Sequence, residues 1–311
     1  MTRQRLVTGL RVGIALLTLA AVVYAVVRNW ADVSVHLGKI SWGTFLLSTL
    51  AAAVGTWLTM LGWKTLLRDL GSDLRTAPAS GVYYVGQLGK YLPGSLWWVL
   101  VQADMASRLG VPRRRTAVTG LLALGFALLT GLLVGLPSAA YLVRSSSGGF
   151  PWWTLVAVPV VAVLLMPALL NRLVGLLLRV LRREPLEHDL SARAIVTAFV
   201  TYVVVWLAFG VHTLLLARAV AAPSGDLTTA SLTGYALSVS LGMLLVVLPA
   251  GLGAREGLLT LILSAVMPVP AAGAVAIVSR FIVTIVDVLA AAAGWLYARA
   301  QHLLDTRAAA E

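Results

Sequence analysis

Pro249-Ala-Gly-Leu-Gly-Ala-Arg-Glu256 interrupts an apolar stretch that runs from Ser231 to Met267. The stretch is too long for one membrane span. Its proline removes a helix hydrogen bond and its glycines relax the backbone, so it reads as a re-entrant hairpin or as two uneven helices. Ala77–Val101 has the same character, with Lys90 and Pro93-Gly94 near its middle. At membrane depth such breaks are tolerated only where protein or a water-filled cavity satisfies the freed backbone groups. Two of them in one chain predict helices that break around an interior polar site.

The surrounding sequence supplies the membrane. The chain has 311 residues, 59% hydrophobic and 12% charged, about half the roughly 25% charged residues of a soluble domain. Six apolar segments are long enough to cross a hydrocarbon core of about 30 Å: Leu10–Val27, Trp42–Trp63, Val118–Val143, Trp153–Leu170, Ile195–Leu216 and Ala274–Tyr297. The first follows Arg3 and Arg5 like a signal peptide, but no convincing cleavage site follows it, and it reads as an uncleaved helix. The fold class expected is an all-α integral membrane protein of six spans and two broken hairpins. Cysteine is absent, which excludes disulfides, thiolate metal sites and a cysteine nucleophile. The formal charge of +12 fits arginines retained on the cytoplasmic side and is not read as nucleic-acid binding.

Charge also sets the topology. Ala77–Val101 lies between Lys64, Arg68 and Arg75 on one side and Arg108, Arg113, Arg114 and Arg115 on the other. Both flanks should be cytoplasmic, so the stretch should enter and leave on one side. Ser231–Met267 has flanks poor in positive charge and should begin and end outside. With both termini cytoplasmic, Arg28, Lys39, Arg144 and Arg218 fall outside and Lys90, Arg255 and Arg280 at membrane depth. The remaining 17 of the 24 basic residues are cytoplasmic. Each half of the single membrane domain, 1–147 and 148–311, then reads span, span, broken stretch, span. Three spans invert the second half relative to the first, an arrangement that recurs in transporters. The linker Asn171–Arg193 reads as a basic anchor that touches anionic headgroups.

Five charges sit at membrane depth: Lys90, Arg255, Glu256, Arg280 and Asp287. Each would cost about 3 kcal/mol facing lipid at a helix centre, so all should face the interior. They sum to +1, which suits an anionic group such as phosphate. Arg255 and Glu256 follow Gly251 and Gly253 at the expected start of a half-helix, where free N–H groups favour an anion. The alternative is that Glu256 caps its own helix while Arg255 holds the hairpin to a neighbour. Lys90, beside Pro93 and Gly94, either joins the site or snorkels to cytoplasmic water. The aromatics Tyr83, Tyr84, Tyr91, Trp97 and Trp98 read as an interfacial belt. Arg280, Thr284 and Asp287 share one helix stripe, as a coupling site or an internal ion pair. His212 reads as structural, and Gly131-Leu-Leu-Val-Gly135 as a helix-packing motif. Walker, His-Glu-x-x-His, Gly-x-Ser-x-Gly and aspartate-rich signatures are all absent, so no enzyme, cofactor or metal is expected.

At Gly89-Lys-Tyr-Leu-Pro-Gly94 and Leu248-Pro-Ala-Gly-Leu-Gly-Ala-Arg-Glu-Gly257 the chain resembles the membrane domain of bacterial lysylphosphatidylglycerol synthases, a group that also includes stand-alone membrane proteins. The likeness covers nearly the whole chain, with Ala250-Gly251 where the family has Gly-Gly. It implies a lipid flippase. The chain ends shortly after its last expected span, so the synthase's soluble aminoacyl-transferase domain is expected to be missing, and synthesis does not carry over. Related stand-alone proteins occur beside glycosyltransferases, which adds glycolipids and polyprenyl-phosphate sugars as cargo and an envelope-pathway glycosyltransferase as partner. The resulting expectation is a plasma-membrane translocase with Lys90, Pro93, Gly94, Gly251, Gly253, Arg255 and Glu256 around its lipid. The alternatives are a non-transporting accessory protein and a secondary transporter of a small anion.

Overall fold

The computed structural model describes residues 30–91, 97–147, 152–180, 182–222, 225–244 and 253–301. The first expected span, Leu10–Val27, and the residues Pro93, Gly94 and Gly251 lie outside them. The described elements are α1 (Trp30–Leu37), α2 (Trp42–Asp69), α3 (Thr76–Gln87) with a 3-10 turn at Leu88–Tyr91, α4 (Trp97–Ser107), α5 (Arg113–Ser147), α6 (Trp153–Leu164), α7 (Pro167–Val180), α8 (Ala192–Val220), α9 (Gly225–Leu244), α10 (Ala254–Ser264) and α11 (Val269–Ala300). No strand occurs among the described residues.

Five helices are long and apolar enough to cross a membrane: α2, α5, α8, α9 and α11. Four contain expected spans and extend past them into polar sequence. The fifth, α9, is the longer arm of the interrupted Ser231–Met267 stretch. The span expected over Trp153–Leu170 is bent, and counts as a sixth span if its two parts cross together. The parts are α6 and α7, turning by 63°. Proline disfavours the helical conformation in the residue before it, and Pro167 opens the second helix. At 1.5 Å per residue, the twelve residues of α6 reach about 18 Å, too short to cross alone.

Both interrupted stretches fold as antiparallel hairpins. In the first, the Gln102 side chain donates to the Tyr83 carbonyl, while a Cβ on Gly89 would meet the Trp98 backbone at 2.5 Å. In the second, Gly234 faces Ile262 and Gly242 faces Arg255. The second hairpin is uneven, with arms of 20 and 11 residues.

The antiparallel pair α2 and α8 forms the centre. Gly55 receives the Phe209 ring and Gly62 the Tyr202 ring, and Ser48 is bonded to His212. Around this pair α5 packs on α9 and α3 on α11, α4 packs on α5 and α10 on α11, and both α5 and α11 touch α2 and α8. The glycine motif of α5 lies in its contact with α9, where a Cβ on Gly135 would meet the Leu237 side chain at 2.7 Å. Trp206 ties α8 to α5 by donating its indole N–H to the Ala127 carbonyl and the Thr130 hydroxyl, each at 3.0 Å. The outer faces carry Leu46, Leu50, Val200, Phe281 and Leu296, all more than half exposed, an apolar surface that suits lipid and not water.

One end of the bundle is rich in arginine. Arg108 and Arg113 both bond Asp104, and Arg114 pairs with Glu184. Arg115 reaches the Gly71 carbonyl, the Ser72 hydroxyl and Glu187. Asp69 accepts from the Ser191 amide and hydroxyl at 2.7 and 2.8 Å, and the Asn171 amide clasps Leu190. These bonds gather the segment before α3, the end of α4 and the starts of α5 and α8, so the first hairpin begins and ends at the same end.

Candidate functional site

The interior charges meet where the two hairpins face α11. The α10 helix starts at Gly253, whose φ of +81° is a left-handed conformation that costs glycine little. Its amide donates to Glu256 Oε2 at 2.7 Å, so Glu256 caps the helix and places negative charge at its positive end. Glu256 Oε1 lies 3.5 Å from Arg280 Nε. About two turns further along α11, Asp287, 8% exposed, sits 2.7 Å from Lys90 Nζ. It also accepts the Tyr91 hydroxyl at 2.7 Å. The Arg280 guanidinium lies over the Tyr91 ring at 5.7 Å, joining both pairs into one polar seam.

This pairing redistributes the charge. Lys90 cancels Asp287 and Arg280 is set against Glu256, leaving the net +1 on Arg255. That residue is 9% exposed, and no carboxylate among the described residues lies within 4 Å of it. Its guanidinium stacks on Tyr235, 4.7 Å from the ring centroid, and donates to a Tyr235 hydroxyl. A guanidinium carries five N–H donors in a planar fork. One hydrogen bond and one aromatic face leave most of that fork for an anion.

Behind Tyr235 lies His212, fully buried, with ring centroids 6.1 Å apart and nearly perpendicular. Its Nδ1 is 3.0 Å from the Ser48 carbonyl. A carbonyl only accepts, so Nδ1 carries the hydrogen, and Nε2 lies 2.9 Å from the Ser279 hydroxyl. His212 thereby joins α2, α8 and α11.

The residues singled out in sequence therefore divide. Arg280 and Asp287 face the seam from one stripe of α11, and Lys90, Glu256 and Gly253 meet them there. The belt reading of the aromatics is corrected for two residues. Tyr83 is buried against Trp63 at 5.6 Å, and Tyr91 belongs to the seam. Tyr91 adjoins Lys90 and was open to discovery by that adjacency. Tyr235 stands 20 residues before Arg255 on an apolar helix, where no local pattern marks it.

Several helices long and apolar enough to span, with an internal ionic seam, describe a multi-pass membrane protein. The chain belongs to the family of the lysylphosphatidylglycerol synthase TM region, whose model matches residues 10–291. Comparison with curated proteins gives no match.

Proposed function

We propose that this protein is a translocase of the plasma membrane that moves a lipid bearing an anionic phosphate between leaflets. Phospholipids, glycolipids and polyprenyl-phosphate-linked lipids share that chemistry. Membership in a lysylphosphatidylglycerol synthase membrane family supports a role in envelope lipid chemistry. The observation that carries the reading is Arg255. It is a buried cation stacked on Tyr235 at the start of a half-helix, with no carboxylate of the described chain to neutralise it. A phosphate would supply the missing charge while the acyl chains stay in the bilayer.

The reading includes an inverted repeat. Exchange α2 with α8, α3 with α9, α4 with α10 and α5 with α11, and each packing contact within this set has its counterpart, α5–α9 for α11–α3 and α4–α5 for α10–α11. The seam joins Lys90 of one half to Asp287 of the other, where a translocation path between halves would run. The arginine-rich end is assigned to the cytoplasm by the positive-inside rule.

The test is a fluorescent-lipid leaflet assay in proteoliposomes, run beside a thermal melt. Arg255→Ala should abolish translocation without lowering the melting temperature. Arg255→Lys should recover part, because it keeps the charge and loses the two-pronged grip on phosphate oxygens. Normal transport by a well-folded Arg255→Ala protein would remove the residue from the path.

A further inference from the structure

A second place on the molecule has the chemistry of an anion site, and it lies on the outside. At the arginine-rich end, between the last turn of α2 and the first turns of α8, a cavity of about 400 Å³ is lined by Thr65, Arg68, Asp69, Ser191, Arg193 and Thr197. That volume is in the range of small-molecule sites. Both oxygens of Asp69 are engaged by Ser191, so this carboxylate is occupied in starting α8. No carboxylate among the described residues comes within 4 Å of Arg68 or Arg193. The two threonine hydroxyls donate to their own helices, at the Leu61 and Arg193 carbonyls. The rim therefore presents two guanidinium groups against one carboxylate, a net charge of +1.

What lies beyond the cavity identifies the anion's source. On α2, the face that carries Thr65 and Arg68 continues at helical spacing through Trp57, Val54 and Leu50, which are 49%, 42% and 61% exposed. On α8, the face of Arg193 and Thr197 continues through Val200, Val204 and Leu207, 53%, 42% and 42% exposed. Residues three and four apart share a helix face, and α2 and α8 lie antiparallel in contact. Two apolar stripes thus run side by side away from a cationic cavity. A free phosphate would use only the cavity. A phospholipid would use both parts, its phosphate between the arginines and its acyl chains along the stripes.

We propose that this cavity is a binding site for an anionic phospholipid of the cytoplasmic leaflet, separate from Arg255 and independent of whether the protein translocates lipid. The phosphate takes hydrogen bonds from Arg68 and Arg193, which the planar fork of arginine suits. An anionic headgroup such as phosphatidylglycerol is favoured over a zwitterionic one, whose own cation would face the same two arginines.

The experiment is lipid titration of the purified full chain in neutral detergent, read by native mass spectrometry. Phosphatidylglycerol, phosphatidylcholine and inorganic phosphate are the probes. The intact protein should retain phosphatidylglycerol in preference to phosphatidylcholine. An Arg68→Gln, Arg193→Gln chain should bind it at least about tenfold more weakly, since a hydrogen bond to a charged group contributes about 1.5–3 kcal/mol and 1.4 kcal/mol is tenfold. An Arg68→Lys, Arg193→Lys chain keeps the charge and should recover part of the affinity, which separates loss of the site from loss of the fold. All three are repeated with Arg255→Gln, so that the central site does not contribute. Undiminished binding by the double glutamine chain in that background overturns the proposal. So does failure of the lysine chain to recover any binding, or inorganic phosphate displacing the lipid at equal concentration, which would mark a site for a soluble anion.

Discussion

At the scale of the residue, the five interior charges were legible as a set, because each is costly in lipid and all are plain in the sequence. Which paired with which was not. Lys90 and Asp287 are 197 positions apart, and only the fold brings the first hairpin against α11. The pair is unevenly buried, the lysine side chain 32% exposed and the aspartate 8%, and this asymmetry gives a prediction. Lys90→Met strands a buried carboxylate, which should cost about 3 kcal/mol or more. Asp287→Asn leaves an amine that already reaches solvent, and should cost less. The double change should recover most of the loss. Thermal melts of the three variants in detergent decide it, and equal losses from the two single changes, or no recovery in the double, would show that the pair contributes little. Tyr235 was missed for a related reason. Its role depends on the return of the chain at Arg255, and nothing on its own helix differs from an ordinary buried tyrosine.

Among elements, the long apolar helices and the breaks at proline and glycine were both legible in sequence, and a bend within an apolar run was not. Proline and glycine act locally, so the two interrupted stretches were visible as such, and both fold as hairpins. Trp153–Leu170 was read as one span because its composition is uniformly apolar. Composition carries no direction, and the bend at Leu165–Met166 comes from the backbone limits that Pro167 imposes. Beyond the bend, α7 turns Leu178 inward and leaves Leu173, Leu176, Arg172 and Arg179 exposed, the pattern of a helix lying in an interface. The first hairpin carries its own prediction. Arg115 holds Gly71 and Ser72 beside the start of α5, so Arg75→Cys and Arg113→Cys, made singly in this cysteine-free chain, should label from the same side of the membrane. Labelling from opposite sides would make Ala77–Val101 a crossing segment and undo the inverted repeat.

For the whole molecule, orientation rests on the gathering of arginines at one end. Sequence gave their number, and the fold adds that Arg108, Arg113, Arg114 and Arg115 hold carboxylates of α4 and of the linker before α8. With that end cytoplasmic, Ser146→Cys should react with an impermeant thiol reagent in intact cells, and Arg299→Cys should react only after the cells are opened. The reverse pattern would turn the molecule over. The packing partners that the proposed inverted repeat would exchange were not open to sequence, because the halves share only Leu92-Pro-Gly94 against Leu248-Pro-Ala-Gly251 and differ in helix length.

The two hairpins are joined to their neighbouring long helices at glycines. Where α5 meets α9, a Cβ on Gly131 would run into the Ser240 side chain and one on Gly135 into Leu237, so these glycines are notches into which side chains are keyed. Where α3 meets α11, Gly294 faces the backbone of Ser80 and Gly81, at 3.3 Å to the nearest atom, and a Cβ on Gly81 would meet the Tyr297 ring at 3.1 Å. A keyed joint must unlock rotamers before it can move. Both hairpins are thus held by keyed contacts, and the first is tied to α11 by charge as well, Lys90 on Asp287.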